Sequence, residues 1–283
     1  MHGELMRYFL LFICCLTFSA HAIVIRHDVP DEEYKVKENT IPQLATFYFD
    51  GAHGTLIEPS WIITAAHATF CVSPDSSILI NGNLVNVENV YIHKDYKPGK
   101  SHDIALIQLR EPVADVIPFA INTDSNELDK NLWFIGIGGT GNGLTGQTVD
   151  NYENEGQMRK AQNNVTFAKG PLLKFDFNEG NEALPLEGVS GGGDSGGPAY
   201  MFQDKLGIVY GISSRVEGGD IGKYGVKEVY SRTSYFVPWI QQIISGVNTR
   251  GISHQRLQQL PAGLTEDILP QVCEDISIGE RDI

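Results

Sequence analysis

The strongest constraint on this chain is a recurrence of short β-rich runs: LATFYF (44–49), WIIT (61–64), ILIN (78–81), IALIQL (104–109), LWFIGIG (132–138) and LGIVYGIS (206–213). β-Branched and aromatic side chains suit a pleated, half-buried surface, and the Gly, Asn, Asp and Pro clusters between the runs supply the backbone conformations that turns need. Many short strands with turn signals between them predict an all-β sandwich or barrel, not alternating β and α units. One segment breaks the pattern. In SYFVPWIQQIIS (234–245), Phe236, Trp239, Ile240, Ile243 and Ile244 return at helical spacing, with Pro238 suited to a first turn. A polar tail follows to Ile283, and no internal repeat is visible.

Composition excludes several classes of function. With 42% hydrophobic and 20% charged residues the chain can bury a core, so disorder is not expected. Its net charge of −14 repels phosphates and anionic lipids, which removes nucleic acid and membrane surfaces as partners. At the N-terminus, Arg7, the apolar YFLLFICCLTFS (8–19) and the small-residue AHA (20–22) have the order of a secretory signal peptide. The apolar run is shorter than the roughly 20 residues that cross a bilayer, so stable membrane insertion is not expected. Cleavage would leave a chain starting at Ile23, still at −14 because Glu4 and Arg7 leave together. Met6 offers a second, cleaner start for the same signal. Cys14 and Cys15 leave with it, and only Cys71 and Cys273 remain. In an oxidising extracellular or periplasmic compartment these can form a Cys71–Cys273 disulfide tying the tail across the back of the first half of the fold; two free thiols or an intermolecular bridge are the alternatives.

GGGDSGGPAY (191–200) surrounds one Asp-Ser pair with five glycines. Glycine weakens regular structure, so such a cluster makes sense where the backbone takes an unusual shape or comes close to a ligand. A serine nucleophile needs an imidazole to take its proton and a carboxylate to orient and stabilise that imidazole. WIITAAHA supplies His67 just after a β-rich run, HDIALIQL supplies Asp103 at the head of another, and GGGDSGGP supplies Ser195. Singly, each has a bland reading: a histidine after a strand is usually a satisfied polar group, and Asp-Ser-Gly is usually a turn.

Together these stretches resemble the trypsin-like, chymotrypsin-fold serine peptidases, whose signatures have the forms TAAH, DIAL and GDSGGP in this order. The resemblance runs from about Pro42 to Ser245 and includes NTIPQLATF, GTLIEPSWIITAAH and GISS. It implies two antiparallel Greek-key β-barrels with the active site between them and a C-terminal helix. The corresponding division is a signal peptide at 1–22 and a peptidase domain at 23–245, with the first barrel at about 40–118, the second at about 119–233 and the helix at about 235–245. A C-terminal extension fills 246–283. The resemblance also implies roles. His67, Asp103 and Ser195 would be the triad, Gly193 and Ser195 N–H groups the oxyanion hole, and Ser214 a donor to Asp103. Asp194 would face away from substrate and pair with the amine of a new N-terminus at Ile23, exposed by the signal cleavage itself. No cofactor and no metal are implied, since the stretch between His67 and Asp103 has no acidic loop for calcium.

Departures from the family pattern matter too. Ala52 and Ala68 replace a cysteine pair that often bridges the histidine loop, and Gly191 and Met201 stand where many members have cysteines. Val189, followed by Ser190, occupies the pocket floor where an aspartate would select Lys or Arg, while Glu228 replaces a usual glycine on the far wall. Two readings follow: Glu228 admits basic residues, alone or beside large apolar ones, or it pairs with Arg215 or faces solvent and leaves an apolar pocket. The expected activity is a secreted serine endopeptidase acting on proteins or peptides, with proteinaceous inhibitors as further partners and a monomeric state. A catalytically silent homologue used for binding is the alternative, and an α/β-hydrolase esterase is disfavoured by the absence of a G-x-S-x-G elbow. NVT (164–166) is a glycosylation sequon, relevant only in a eukaryotic host.

Overall fold

The computed structural model describes residues 22–246, 260 and 263–279, so the signal sequence proposed for 1–22 lies almost wholly outside the described residues. After β1 (Ile23–Ile25), six strands close a barrel: β2 (Leu44–Tyr48), β3 (Gly51–Glu58), β4 (Trp61–Thr64), β5 (Ser77–Ile80), β6 (Asn83–Ile92) and β7 (Ala105–Leu109). Their order is β2-β3-β4-β7-β6-β5, with β5 returning to β2 through Ala45 opposite Ile80. Local chemistry explains the tight corners. Asn81 and Gly82 both have positive φ, 49° and 74°, which suits a two-residue hairpin between β5 and β6.

The second half runs through β8 (Ala120–Ile121), β9 (Asn131–Gly136), β10 (Thr140–Asn142), β11 (Gly146–Val149), β12 (Arg159–Lys169), β13 (Leu172–Asp176), β14 (Gly188–Val189), β15 (Pro198–Gln203), β16 (Leu206–Glu217) and β17 (Lys227–Arg232). Strands β15-β9-β12-β13-β17-β16 pair in sequence and β16 pairs back onto β15, which closes a second six-stranded barrel. The chain thus adopts the two-barrel architecture expected from the resemblance. A small sheet, β11-β10-β1-β14, lies outside both barrels and holds the segment beginning at Ile23.

Burial follows the sequence pattern. Leu56, Ile62, Ile63, Leu106 and Ile107 are buried on the two faces of the first barrel's wall, in an apolar cluster that continues through Ile135, Tyr200, Val209 and Ile212 to Phe236, Ile240 and Ile243 of helix α1 (Thr233–Ile244). Each such aliphatic side chain contributes roughly 1.5–3 kcal/mol by leaving water. In the second barrel Phe134 contacts Phe175 and Tyr230 with ring centroids 4.9 Å apart in both cases. The helix differs from its expectation in one respect: it starts at Thr233, so Pro238 is its sixth residue and not in its first turn. Tertiary bonds set that start, Thr233 donating to the Val209 carbonyl at 2.9 Å and Arg232 forming a two-pronged pair with the buried Glu127 at 2.9 and 2.8 Å.

A second helix, α2 (Leu269–Ile276), carries Cys273 in the tail, where sequence patterning offers no clear helix. The Cys71–Cys273 disulfide joins it to the first barrel with a Cα–Cα distance of 5.3 Å. The tail lies against Tyr48 and Phe49, beside the histidine turn, and not across the back of the barrel.

Candidate active site

His67 begins a single 3-10 turn, His67–Thr69, directly after β4, with Ala65 and Ala66 packed into the core behind it. Short, buried side chains at those two positions let the turn sit against the barrel. Its imidazole is therefore carried out into the seam between the barrels, 27% exposed. Asp103 follows His102, whose φ of +57° bends the chain just before β7. The Asp103 carboxylate accepts the His67 backbone N–H at 2.9 Å through Oδ1 and faces His67 Nδ1 at 2.7 Å through Oδ2. On the other side of the ring, His67 Nε2 lies 2.7 Å from Ser195 Oγ.

Ser214 donates to the same Asp103 Oδ2 at 2.7 Å. Register explains how it reaches. Ser213 is opposite Tyr230 and Arg215 is opposite Val229, so Ser214 is the extra residue of a β-bulge, a device that re-aims a side chain. Burial pushes the Asp103 carboxyl up, but the charge and N–H groups of His67, helped by Ser214, hold it below the usual 3.8. For His67, burial pulls the ring down, and Asp103 outweighs that effect and holds it above 6.5. The arrangement favours a proton moving onto Nε2.

Around Ser195 the backbone is held by the first barrel. The Ala52 N–H donates to the Gly193 carbonyl and the His53 N–H to the Ser195 carbonyl, both at 2.7 Å. Gly193 has φ +91°, and a Cβ there would lie 2.7 Å from Asn151 Cβ; Gly196 has φ +78°, and a Cβ there would lie 2.2 Å from the His53 carbonyl oxygen. No other residue type fits either position. Among the described residues neither the Gly193 nor the Ser195 N–H donates to a protein acceptor.

Asp194 turns the other way and is 1% exposed. Its carboxylate accepts the Gly138 N–H at 2.7 Å and the Gly191 N–H at 2.8 Å, and the nearby Ile23 N–H also favours its ionised form. Burial nevertheless pushes it up to about 7. Val189 is fully buried with Val24, Phe177 and Val226, closing off the base of this region with apolar surface. Ser190 Oγ is 2.7 Å from the Tyr230 hydroxyl. Glu228, 1% exposed, faces the same interior, and its Oε1 has no hydrogen-bond partner. Burial and the nearby Asp194 push this carboxyl well above its usual range. Arg215 is engaged by Glu217 at 2.6 Å, so neither a pairing with Arg215 nor a solvent-facing carboxylate describes Glu228.

Several residues around the site were not singled out from sequence. Gln147 Oε1 accepts the Gly192 N–H at 2.7 Å, Asn151 bonds Asp50 at 2.7 Å beside Gly193, and Gly138 leaves room for Asp194, whose Oδ1 would be 2.6 Å from a Cβ there. A signal existed for Gly138: GIGGTGNG (136–143) is a second glycine-rich run, and close backbone approach is what such runs serve. Gln147 and Asn151 carried no comparable signal. A family model described as Trypsin matches residues 32–240.

Proposed function

We propose, for a chain that belongs to the trypsin family and is thereby a serine endopeptidase, that Ser195 Oγ attacks the scissile carbonyl while His67 Nε2 takes its proton. The Oγ–C bond forms, the C–N bond breaks as His67 returns the proton to the leaving amine, and water then hydrolyses the acyl-enzyme with His67 as base. Asp103 keeps Nδ1 protonated and stabilises the imidazolium. Gly193 and Ser195 N–H groups take the developing oxyanion, an interaction whose loss costs ~10²–10³ in kcat in a well-studied hydrolase. One observation carries this reading: the unbroken Ser195–His67–Asp103–Ser214 chain, every link 2.7 Å. Labelling with a fluorophosphonate should mark the wild type and spare Ser195→Ala; no labelling of either protein would sink the enzyme.

The primary pocket is proposed to take Lys or Arg. A buried carboxylate with an unpaired oxygen and a second carboxylate nearby is costly in isolation, and a substrate cation would relieve both costs. Chromogenic peptides ending in Lys, Arg, Phe, Leu or Ala, offered to the wild type, decide this; refusal of the basic peptides overturns it.

Export and activation are proposed as one event. A disulfide suits an oxidising compartment, and among the described residues no helix is long and apolar enough to cross a membrane. Cutting after Ala22 would turn the Ile23 N–H at Asp194 into an ammonium. Ile23 has φ +61°, unusual for a β-branched residue and costing on the order of 1–3 kcal/mol. A free amine has no preceding peptide to define φ, so the cleaved terminus is relieved of this backbone constraint while the intact peptide bears it.

A further inference from the structure

We infer that α2 and the residues just after it form a strap that positions both halves of the Ser195 site, so that full turnover requires the Cys71–Cys273 bond. The inference rests on Ser195, His67 and Asp103 being the reacting groups.

The strap reaches the histidine side first. Cys71 lies two residues beyond the His67–Thr69 turn, and its disulfide partner Cys273 is 202 residues away in sequence. Buried Tyr48 ties the same turn from below: its hydroxyl donates to the Ala68 carbonyl at 2.9 Å and accepts the Cys71 N–H at 3.0 Å. The tail's links to the imidazole's own turn thus pass through Tyr48 and Cys71, beside the bond that the His67 N–H makes to Asp103.

It reaches the oxyanion side through the same strand. Ser277 forms an antiparallel bridge with Tyr48, and the Phe49 N–H donates to the Ile276 carbonyl at 3.1 Å. The chain then turns through Asp50 and Gly51 and meets Gly193. Asn151 holds Asp50 at 2.7 Å, the Asp50 carbonyl oxygen lies 3.0 Å from where a Gly193 Cβ would stand, and the Ala52 N–H bonds the Gly193 carbonyl at 2.7 Å. Gly51, at φ +133°, has no room for a Cβ, which would come within 2.4 Å of the Gly193 oxygen. Tail, Tyr48–Ala52 and Gly193 are therefore in successive contact.

The strap cannot dock by itself. Helix α2 has eight residues, none buried; among the described tail residues Ile276 packs partly buried against the apolar cluster of the first barrel, and Ile278 just beyond it is buried. Isolated helices of that length do not persist in water. Once the disulfide opens, the tail leaves, and the His67 turn and the Asp50–Ala52 turn lose their shared restraint. Both turns act on groups used in the transition state, so the loss falls on kcat and not on substrate binding. Full activity then appears only where the disulfide can form, which couples turnover to export.

The test uses the whole chain beginning at Ile23. Native-state reduction by a thiol, the Cys71→Ser/Cys273→Ser pair, and Ile276→Ala, which keeps the disulfide, are compared by kcat, KM and fluorophosphonate labelling rate, with circular dichroism confirming the fold. Reduction should lower kcat about 10–100-fold with KM nearly constant, reoxidation should restore it, and the serine pair should be insensitive to the thiol. Ile276→Ala should lower kcat by a smaller factor. Unchanged kcat in the folded, reduced protein overturns the strap, as does unchanged kcat in Ile276→Ala should the other two unfold. Failure of the oxidised wild type to label at Ser195 overturns the enzymatic reading instead.

Discussion

His67 is the residue whose environment sets the pH response. Asp103 holds its imidazole above 6.5, and only the neutral ring can accept the Ser195 proton. Activity should therefore rise with pH along an acid limb whose midpoint lies above 6.5, and Asp103→Asn should lower kcat by roughly 10⁴; a pH–rate profile of both proteins checks this. The stability signs run oppositely for the two partners. His67, raised, contributes stability that is present below 6.5 and lost as pH climbs through its higher folded value; Asp103, depressed, contributes above 3.8 and loses its share as pH falls through its lower one. Glu228 supplies a second residue-scale expectation. Glu228→Gln should cut kcat/KM for Lys and Arg substrates by about 10²–10³ while leaving Phe and Leu substrates within a few-fold, because a desolvated charge pair is lost. In the wild type, the preference for basic over apolar peptides should grow as pH rises through the elevated Glu228 value. Equal losses on all substrates would make Glu228 a structural group only.

At the scale of elements, the strands were legible and their edges less so. WIIT became β4 and ALIQL became β7 because β-branched and apolar side chains suit strands buried in a barrel wall. Helix α1 starts two residues before its periodic pattern predicts because Arg232–Glu127 and Thr233–Val209 contacts fix it, and neither is local in sequence. Helix α2 gave no clear periodic signal: it spans only eight residues and docks through a cysteine. That disulfide closes a loop of 202 residues, worth about 5 kcal/mol in the chain-entropy account. Breaking it should lower the melting temperature by on the order of 10 °C, read by calorimetry on oxidised and reduced protein. A shift of a degree or less would mean the tail contributes nothing to the folded barrel.

For the whole molecule, the site exists only where the two barrels meet: Ser195 is 128 residues from His67, and Ser214 is 111 from Asp103. The N-terminal segment belongs to this scale as well, since β1 pairs with β10 on one side and β14 on the other. With only amides as donors, Asp194 titrates near 7, so a protein extended beyond Ile23 gains from the neutral acid below 3.8 and loses that gain as pH rises through about 7. A free Ile23 ammonium, unperturbed at ~7.7–8.0, should be raised by pairing and should keep Asp194 ionised. Protein starting at Ile23 should consequently melt higher and cleave faster near pH 7–8 than protein with one extra residue, the gap closing as pH passes the raised amine value. Identical melting and activity in that range would remove Ile23 from the activation scheme.

Residue type and local order, read along the chain, were enough to establish the strand-rich class, the His67–Asp103–Ser195 candidates and the need for glycine around Ser195, because each depends on chemistry carried within about ten residues. Tertiary structure decided the rest. Glu228 proved to be buried and half-unpartnered because register in β16 and β17, not neighbouring sequence, selects what surrounds it. Likewise the tail came to lie beside Tyr48 and Phe49, near Gly193, because a disulfide and a two-residue edge pairing outweigh any preference its own sequence has for a place on the barrel.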